Sequence, residues 1–240
     1  MILIRLLVFV FIFTLNIKSQ IAVELFGGKS FLYHNSDFKK VNDFPNCCFL
    51  FKSGIGDGSN IGLGVNLSFH AKESIKINLL YNNSTLTFQE TQKDFFNLNG
   101  KVIQGVYSHN LEFQYKSFSI MLLYGYELNP RLSLLFGTYL DLTDNVNFKQ
   151  FEKIEEPINQ AVFVDTQTRT RNYFESSLLN NVKIGMSPGL EYKMPLNRKE
   201  NFFLSGNIYF KIDFNSTFKE IKSTENSFLT QLKLIYYFNN

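Results

Sequence analysis

The chain has no tryptophan, only two cysteines and three histidines, and no long uncharged apolar run after its first fifteen residues. Each shortage excludes something. A helix that crosses a bilayer needs roughly 20 consecutive apolar residues, so no membrane helix is expected in the mature chain. The two cysteines, Cys47 and Cys48, are adjacent and have no histidine pair at ligand spacing nearby, so zinc is not expected. A formal net charge of +3 is too small to point to nucleic acid. No internal repeat, heptad or low-complexity run interrupts the sequence. No catalytic residue, cofactor or metal ligand set is expected.

What the chain does have is alternation. From Ile61 to His70 every odd position is apolar and every even one is Gly, Asn, Ser or His. Val182 to Lys193 repeats the pattern with charged residues on the second face, and so does Thr230 to Phe238. A period of two with apolar residues on one side and ions on the other describes a strand whose faces meet different solvents. Such strands suit a barrel that is apolar outside and wet inside. With tryptophan absent, the aromatic girdles of that barrel must be built from the 27 Phe and 12 Tyr.

The first residues set the compartment. Arg5 supplies a positive charge, Leu6 to Leu15 is apolar apart from Thr14, and a polar stretch leads to Ser19-Gln20. The run is about half the length a spanning helix needs. Residues 1–19 therefore read as a secretory signal peptide cut after Ser19, leaving 20–240 as one barrel domain.

Eight strands are predicted near 21–33, 60–70, 75–89, 107–127, 131–143, 181–193, 202–214 and 227–238. Short turns at 71–74, 128–130 and 194–201 alternate with long connections at 34–59, 90–106, 144–180 and 215–226, the threading of an outer-membrane barrel with periplasmic turns and extracellular loops. The expected fold is an all-β, eight-stranded antiparallel transmembrane barrel with up-and-down topology. In the fourth strand the apolar parity slips near Ser117, from Leu111, Phe113 and Tyr115 to Phe118, Ile120 and Leu122. A β-bulge there would restore the facing, and two separate strands are the alternative. The third strand slips after Tyr81, where it has left the membrane. Glu24, Lys183, Glu191, Lys211, Asp213 and Lys233 fall at inward parity. An eight-stranded lumen is barely wide enough for its own side chains, so these ions should pair and plug it, against a conducting pore.

The chain resembles the small outer-membrane barrel proteins of the Bacteroidota and Chlorobi group, the "outer membrane protein beta-barrel domain" and PorT-like assemblage, whose barrels are of the OmpA type. The residues that carry this are Phe44-Pro45-Asn46-Cys47-Cys48 with Gly54-Ile55-Gly56-Asp57-Gly58, Thr168-Arg169-Thr170-Arg171-Asn172, Glu191 to Asn197 and the aromatic C-terminus. Some relatives append a peptidoglycan-binding domain; this sequence stops at Asn240, so no grip on the cell wall is expected. The last strand is similar to the signal read by the barrel-assembly machinery. Gln231, Tyr236 and Phe238 match it, while Lys233 stands where Gly is usual and Asn239-Asn240 extend past the aromatic. The resemblance implies a cell outer membrane location, with outer-membrane lipid and lipopolysaccharide as surroundings, the barrel-assembly machinery as partner, and a monomer.

Three features remain open. Cys47 and Cys48 can close a vicinal disulfide in an oxidising compartment, bridge to another chain, or stay thiols; the first is the favoured reading. Arg169 and Arg171 can bind lipopolysaccharide phosphates or simply be solvated. His34, Asp37, Ser108 and His109 fall near the outer rim, where a lipid A-modifying hydrolase or acyltransferase would carry its site. That alternative needs a serine within hydrogen-bond reach of a histidine backed by an acid. Gly54-x-Gly56-x-Gly58 reads as a flexible lead-in to a hairpin, and His70 as structural. The main reading is a non-enzymatic barrel with a structural, adhesion or binding, or secretion-accessory role.

Overall fold

The computed structural model describes residues 20–38, 40–41, 44–45, 51–98, 101–144, 146–156, 161–163, 167–178, 181–215 and 223–238. Residues 1–19, the expected signal peptide, and Cys47 and Cys48 lie outside that set. Its strands are β1 (Gln20–Phe38), β2 (Lys40–Val41), β3 (Phe44–Pro45), β4 (Phe51–His70), β5 (Glu73–Leu98), β6 (Lys101–Asn129) and β7 (Leu132–Thr143). They continue with β8 (Val146–Glu156), β9 (Thr170–Leu178), β10 (Asn181–Met186), β11 (Gly189–Pro195), β12 (Phe202–Asp213) and β13 (Ser223–Phe238). Apart from the two-residue hairpin β2–β3, all belong to one antiparallel sheet.

The pairings close that sheet on itself. β1 lies between β13 and β4, β5 follows β4, β6 follows β5, β7 follows β6, β10 and β11 follow β7, and β12 joins them back to β13. β8 continues β7 along the same edge of β6. β9, β10 and β11 likewise run one after another beside β8 and β7. The break before β11 falls at Ser187-Pro188, where proline has no N–H to give the ladder; Ser187 N still donates to Gly137 O at 2.8 Å. The wall is thus eight strands in up-and-down order.

Register fixes its shape. Partners followed round the ring from Gly125 run through Leu135, Gly189, Tyr209, Leu229, Ser30, Gly58 and Ser84 to Tyr115, on the starting strand again but ten residues away. Eight strands sheared by ten tilt about 40° from the axis, within the usual range for a barrel.

The outside is apolar in a belt. Phe31, Tyr81, Phe118 and Phe228 are exposed along its upper rim, and Tyr126, Tyr192, Tyr236 and Phe238 along its lower one, with Leu25, Leu63, Leu79, Leu122, Phe136 and Leu234 among those between. From Phe118 to Tyr126 is about 20 Å of height on a strand tilted this way, comparable to the hydrocarbon band of outer-membrane barrels. Ile61, Leu63 and Val65 face out while Gly64 and Asn66 face in. This is the architecture of an outer-membrane barrel, with the short turns and both described chain ends on one side and the long hairpins on the other.

Two sequence expectations are corrected. Residues 34–59, 90–106 and 144–180 are largely strand and not loop: β1 runs on to Phe38 and β4 begins at Phe51, β5 and β6 continue to Leu98 and Lys101, and β8 and β9 stand as a further hairpin. Nor is there a bulge at Ser117. The β5–β6 register runs unshifted from Glu73↔Tyr126 to Leu98↔Lys101. Leu111, Phe113 and Tyr115 face inward, as do Ser117, Ser119 and Met121. What changes there is the surroundings: above the belt the inside becomes apolar and the outside polar.

Candidate functional site

Above a small buried cluster of Ala22, Ile235 and Tyr237 at the turn end, the lumen is filled by four layers stacked along the axis. The lowest of these four is ionic and wholly buried. Lys76 Nζ donates to Glu24 Oε1 at 2.9 Å and to Glu191 Oε2 at 2.6 Å, and Lys233 Nζ donates to Glu24 Oε2 at 2.8 Å. Asn207 Nδ2 donates to Glu191 Oε1 at 3.2 Å and to the Tyr209 hydroxyl at 2.8 Å. Two cations and two anions balance, which is what ions without water require.

An apolar layer of Phe26, Leu80, Met121, Leu123, Leu135, Tyr139, Tyr209 and Leu229 covers this network. A second ionic layer follows. Lys183 Nζ lies 2.7 Å from Glu225 Oε2, which also faces His34 Nε2 at 2.8 Å and accepts from the Tyr115 hydroxyl at 3.1 Å. Lys211 Nζ donates to Asp141 Oδ2 at 2.6 Å, Tyr139 donates to Asp213, and Lys183 stands 3.8 Å from Asp213. Above it, Leu32, Phe51, Leu86, Phe88, Leu111, Phe113, Tyr115, Val146 and Phe148 form a second apolar plug. Phe88 sits edge-on to Phe51 and Phe113. Gly54, in strand β4 and not in a flexible lead-in, faces this ring: a Cβ there would lie 2.7 Å from Phe88.

The six ions singled out by inward parity therefore fall into two separate groups. Glu24, Glu191 and Lys233 lie in the lower layer, and Lys183, Lys211 and Asp213 in the upper. Sequence reasoning missed Lys76, Asp141 and Glu225. Lys76 carries the pattern, alternating with Ile75 and Ile77, but its partners stand on strands across the lumen, where no spacing along the chain points.

Beyond the belt, a third cluster joins β6 to the β8–β9 hairpin. His109 Nδ1 meets Glu152 Oε1 at 3.0 Å, and Arg171 Nη2 donates to Glu152 Oε2 at 2.9 Å while lying over the Phe163 ring. Arg169 Nη2 donates to the carbonyls of Ile154 and Glu155. Ser108 Oγ donates to Glu155 Oε1 at 2.8 Å. Lys153, hydrogen-bonded to Glu155 at 3.0 Å, holds that carboxyl below the ordinary carboxylate range. Neighbouring residues of a strand point to opposite faces, so Ser108 and His109 do not form a serine–histidine pair, and His34 lies deep in the upper ionic layer. The side chain of Asp37 is outside the described set. Among the described residues, His34, Ser108 and His109 are thus not brought together as the lipid A hydrolase alternative needs.

On the turn side the barrel opens into a cavity of about 580 Å³ lined by Gln20, His70, Glu127, Lys193, Phe203 and Tyr237, among others. Lys193 Nζ donates to Glu127 Oε1 at 2.6 Å across it. In the final strand Gln231 faces the lumen and its amide donates to Asn60 Oδ1 at 2.8 Å. Tyr236 and Phe238 face out, ring against ring, in the lower rim.

No family model and no curated protein matches the chain. Among solved structures it is similar to Ail, the attachment invasion locus protein of Yersinia pestis, at 11% identity and a TM-score of 0.39, over 90% of this chain and 99% of that one. It is similar to the outer membrane protein OprG of Pseudomonas aeruginosa at 12% and 0.47, over 93% and 98%. It is also similar to the outer membrane protease OmpT of Escherichia coli at 9% and 0.36, over 93% and 98%. Likenesses this distant carry no function to this chain.

Proposed function

We propose that this protein is a non-enzymatic, non-conducting barrel of the cell outer membrane that holds an extracellular β-sheet blade out for binding or adhesion. The observation that carries this is the pairing of a lumen closed by two apolar layers with walls that outrun the belt. From Phe118 to Lys101, β6 has seventeen residues above the rim, roughly 55 Å of strand. A barrel with nothing to conduct and so much sheet outside works through its outer surface. Near the β5–β6 turn, Phe95 and Val102 stand 69% and 71% exposed on one face, and exposed apolar anchors of this kind mark binding surfaces.

The test is a photo-crosslinking residue in place of Phe95, with Thr87 lower on the same face as control, irradiated in the native outer membrane. A discrete adduct from position 95 and none from 87 is expected. Absence of any adduct at 95 sinks the adhesion reading.

The remaining expectations belong to the same reading: membership of the Bacteroidota and Chlorobi barrels, a signal peptide cut after Ser19, recognition of Gln231, Tyr236 and Phe238 by the barrel-assembly machinery, and a monomer. So does a Cys47–Cys48 disulfide. Mass spectrometry of the non-reduced peptide should find the two sulfurs bonded to each other, and free thiols or a covalent dimer would defeat it.

A further inference from the structure

Arg169 and Arg171, the cations that sequence alone offers to lipid phosphates, are engaged with Glu152 and with backbone carbonyls. The belt itself carries a better candidate. Lys116 pairs with Asn83, Asn83 with Ser59, Ser59 with Lys29, and Lys29 with Thr230. These five residues occupy one row across five adjacent strands, and all turn outward; Thr230 is half-buried and the others are exposed. The row beneath is Phe118, Tyr81, Ile61, Gly27 and Leu232, which is apolar apart from its glycine. Because the strands tilt, the row begins just above the rim at Lys116 and descends toward Thr230. There Phe31 and Phe228 lie above it, so that Lys29 faces lipid below the aromatic rim.

A cation on the lipid face is costly unless it reaches an anion or water. Among the described residues neither Lys29 nor Lys116 makes an ion pair within 4 Å; the nearest acids by register are Asp144, whose N–H donates to the Lys116 carbonyl at 2.8 Å from the next strand, and Asp57, one rung up beside Phe31. Three strand spacings separate the two lysines, about 14 Å, with an amide and a hydroxyl between them. We propose that this row is a binding site for a phosphorylated glycolipid of the outer leaflet, each lysine taking a phosphate and Asn83 and Ser59 meeting the sugar hydroxyls. Ammonium and phosphate are opposite in charge, phosphate accepts well from ammonium groups, Lys116 stands at the depth of the headgroups, and the long Lys29 stem can snorkel up to them.

The proposal rests on the membrane reading, and the experiment separates the two. The barrel is placed in nanodiscs of zwitterionic phospholipid containing either a bisphosphorylated glycolipid or its dephosphorylated form, and bound lipid is read by native mass spectrometry. Heat-modifiability on a gel reports insertion independently, and failure to insert overturns the membrane reading itself. For the inserted wild type, one phosphorylated glycolipid is expected to be retained at least tenfold better than the dephosphorylated one. Lys29→Met with Lys116→Met should lose that preference, and Lys29→Arg with Lys116→Arg should keep it. Equal retention by the double Met variant, or no discrimination between the two lipids, overturns the site. So does efficient disulfide dimerisation of Ser59→Cys, which would give this face to a second copy of the chain.

Discussion

At the scale of single residues the most consequential side chain is Lys76, buried between Glu24 and Glu191. Lys76→Met leaves Glu24 with Lys233 but Glu191 with only the Asn207 amide among the contacts described. Breaking a buried pair by removing one partner costs about 3–5 kcal/mol, because the other charge stays behind. Urea unfolding in lipid vesicles should show a loss of that order for Lys76→Met. The further change Glu191→Gln should recover part of it, as expected for coupled sites. Unchanged stability in the single variant would mean that water reaches this layer.

At the scale of strands, alternation told the truth about facing and misled about extent. The eight strands were legible where lipid lies outside, since only there does an apolar face run uninterrupted. Past Tyr81 and Phe118 the outward residues become Asn83, Thr85 and Thr87 on one strand and Lys116, Gln114 and Glu112 on the other. Meanwhile Leu86, Phe88, Leu111 and Phe113 turn apolar inside. The same alternation continues with the solvents exchanged, so it reads as a slip in parity or as loop. The ionic layers were half legible for a related reason: parity identifies which ions point inward, whereas pairing depends on strands distant in the chain. Cysteines introduced singly along β6 check the continuous register. Positions 118, 120 and 122 should react with a membrane-confined reagent, 112, 114 and 116 with a water-soluble one, and 111, 113 and 115 with neither. An exchange of classes on crossing Ser117 would restore the bulge.

For the molecule as a whole, the two apolar layers act in series. Planar bilayers with the protein inserted should show no unitary current steps. Phe88→Ala with Phe113→Ala should remain silent, because the layer of Phe26, Met121, Tyr139 and Tyr209 still blocks the path. Steps in the wild type would end the plugged reading. The closure of the ring has a separate consequence, for how the protein is made. Its seam joins the first described strand to the last, from Ile21↔Phe238 to Ser36↔Ser223, without a shift. Hairpins between successive strands can form as soon as both halves exist, but this one interface unites segments from opposite ends of the chain, the slowest kind of contact to find. Until β13 arrives, β1 is a bare edge, open to pairing with whatever strand comes near. Shortening the chain by its final strand would therefore leave an open sheet with two reactive margins instead of a slightly smaller barrel, and assembly has a commitment step at its very end.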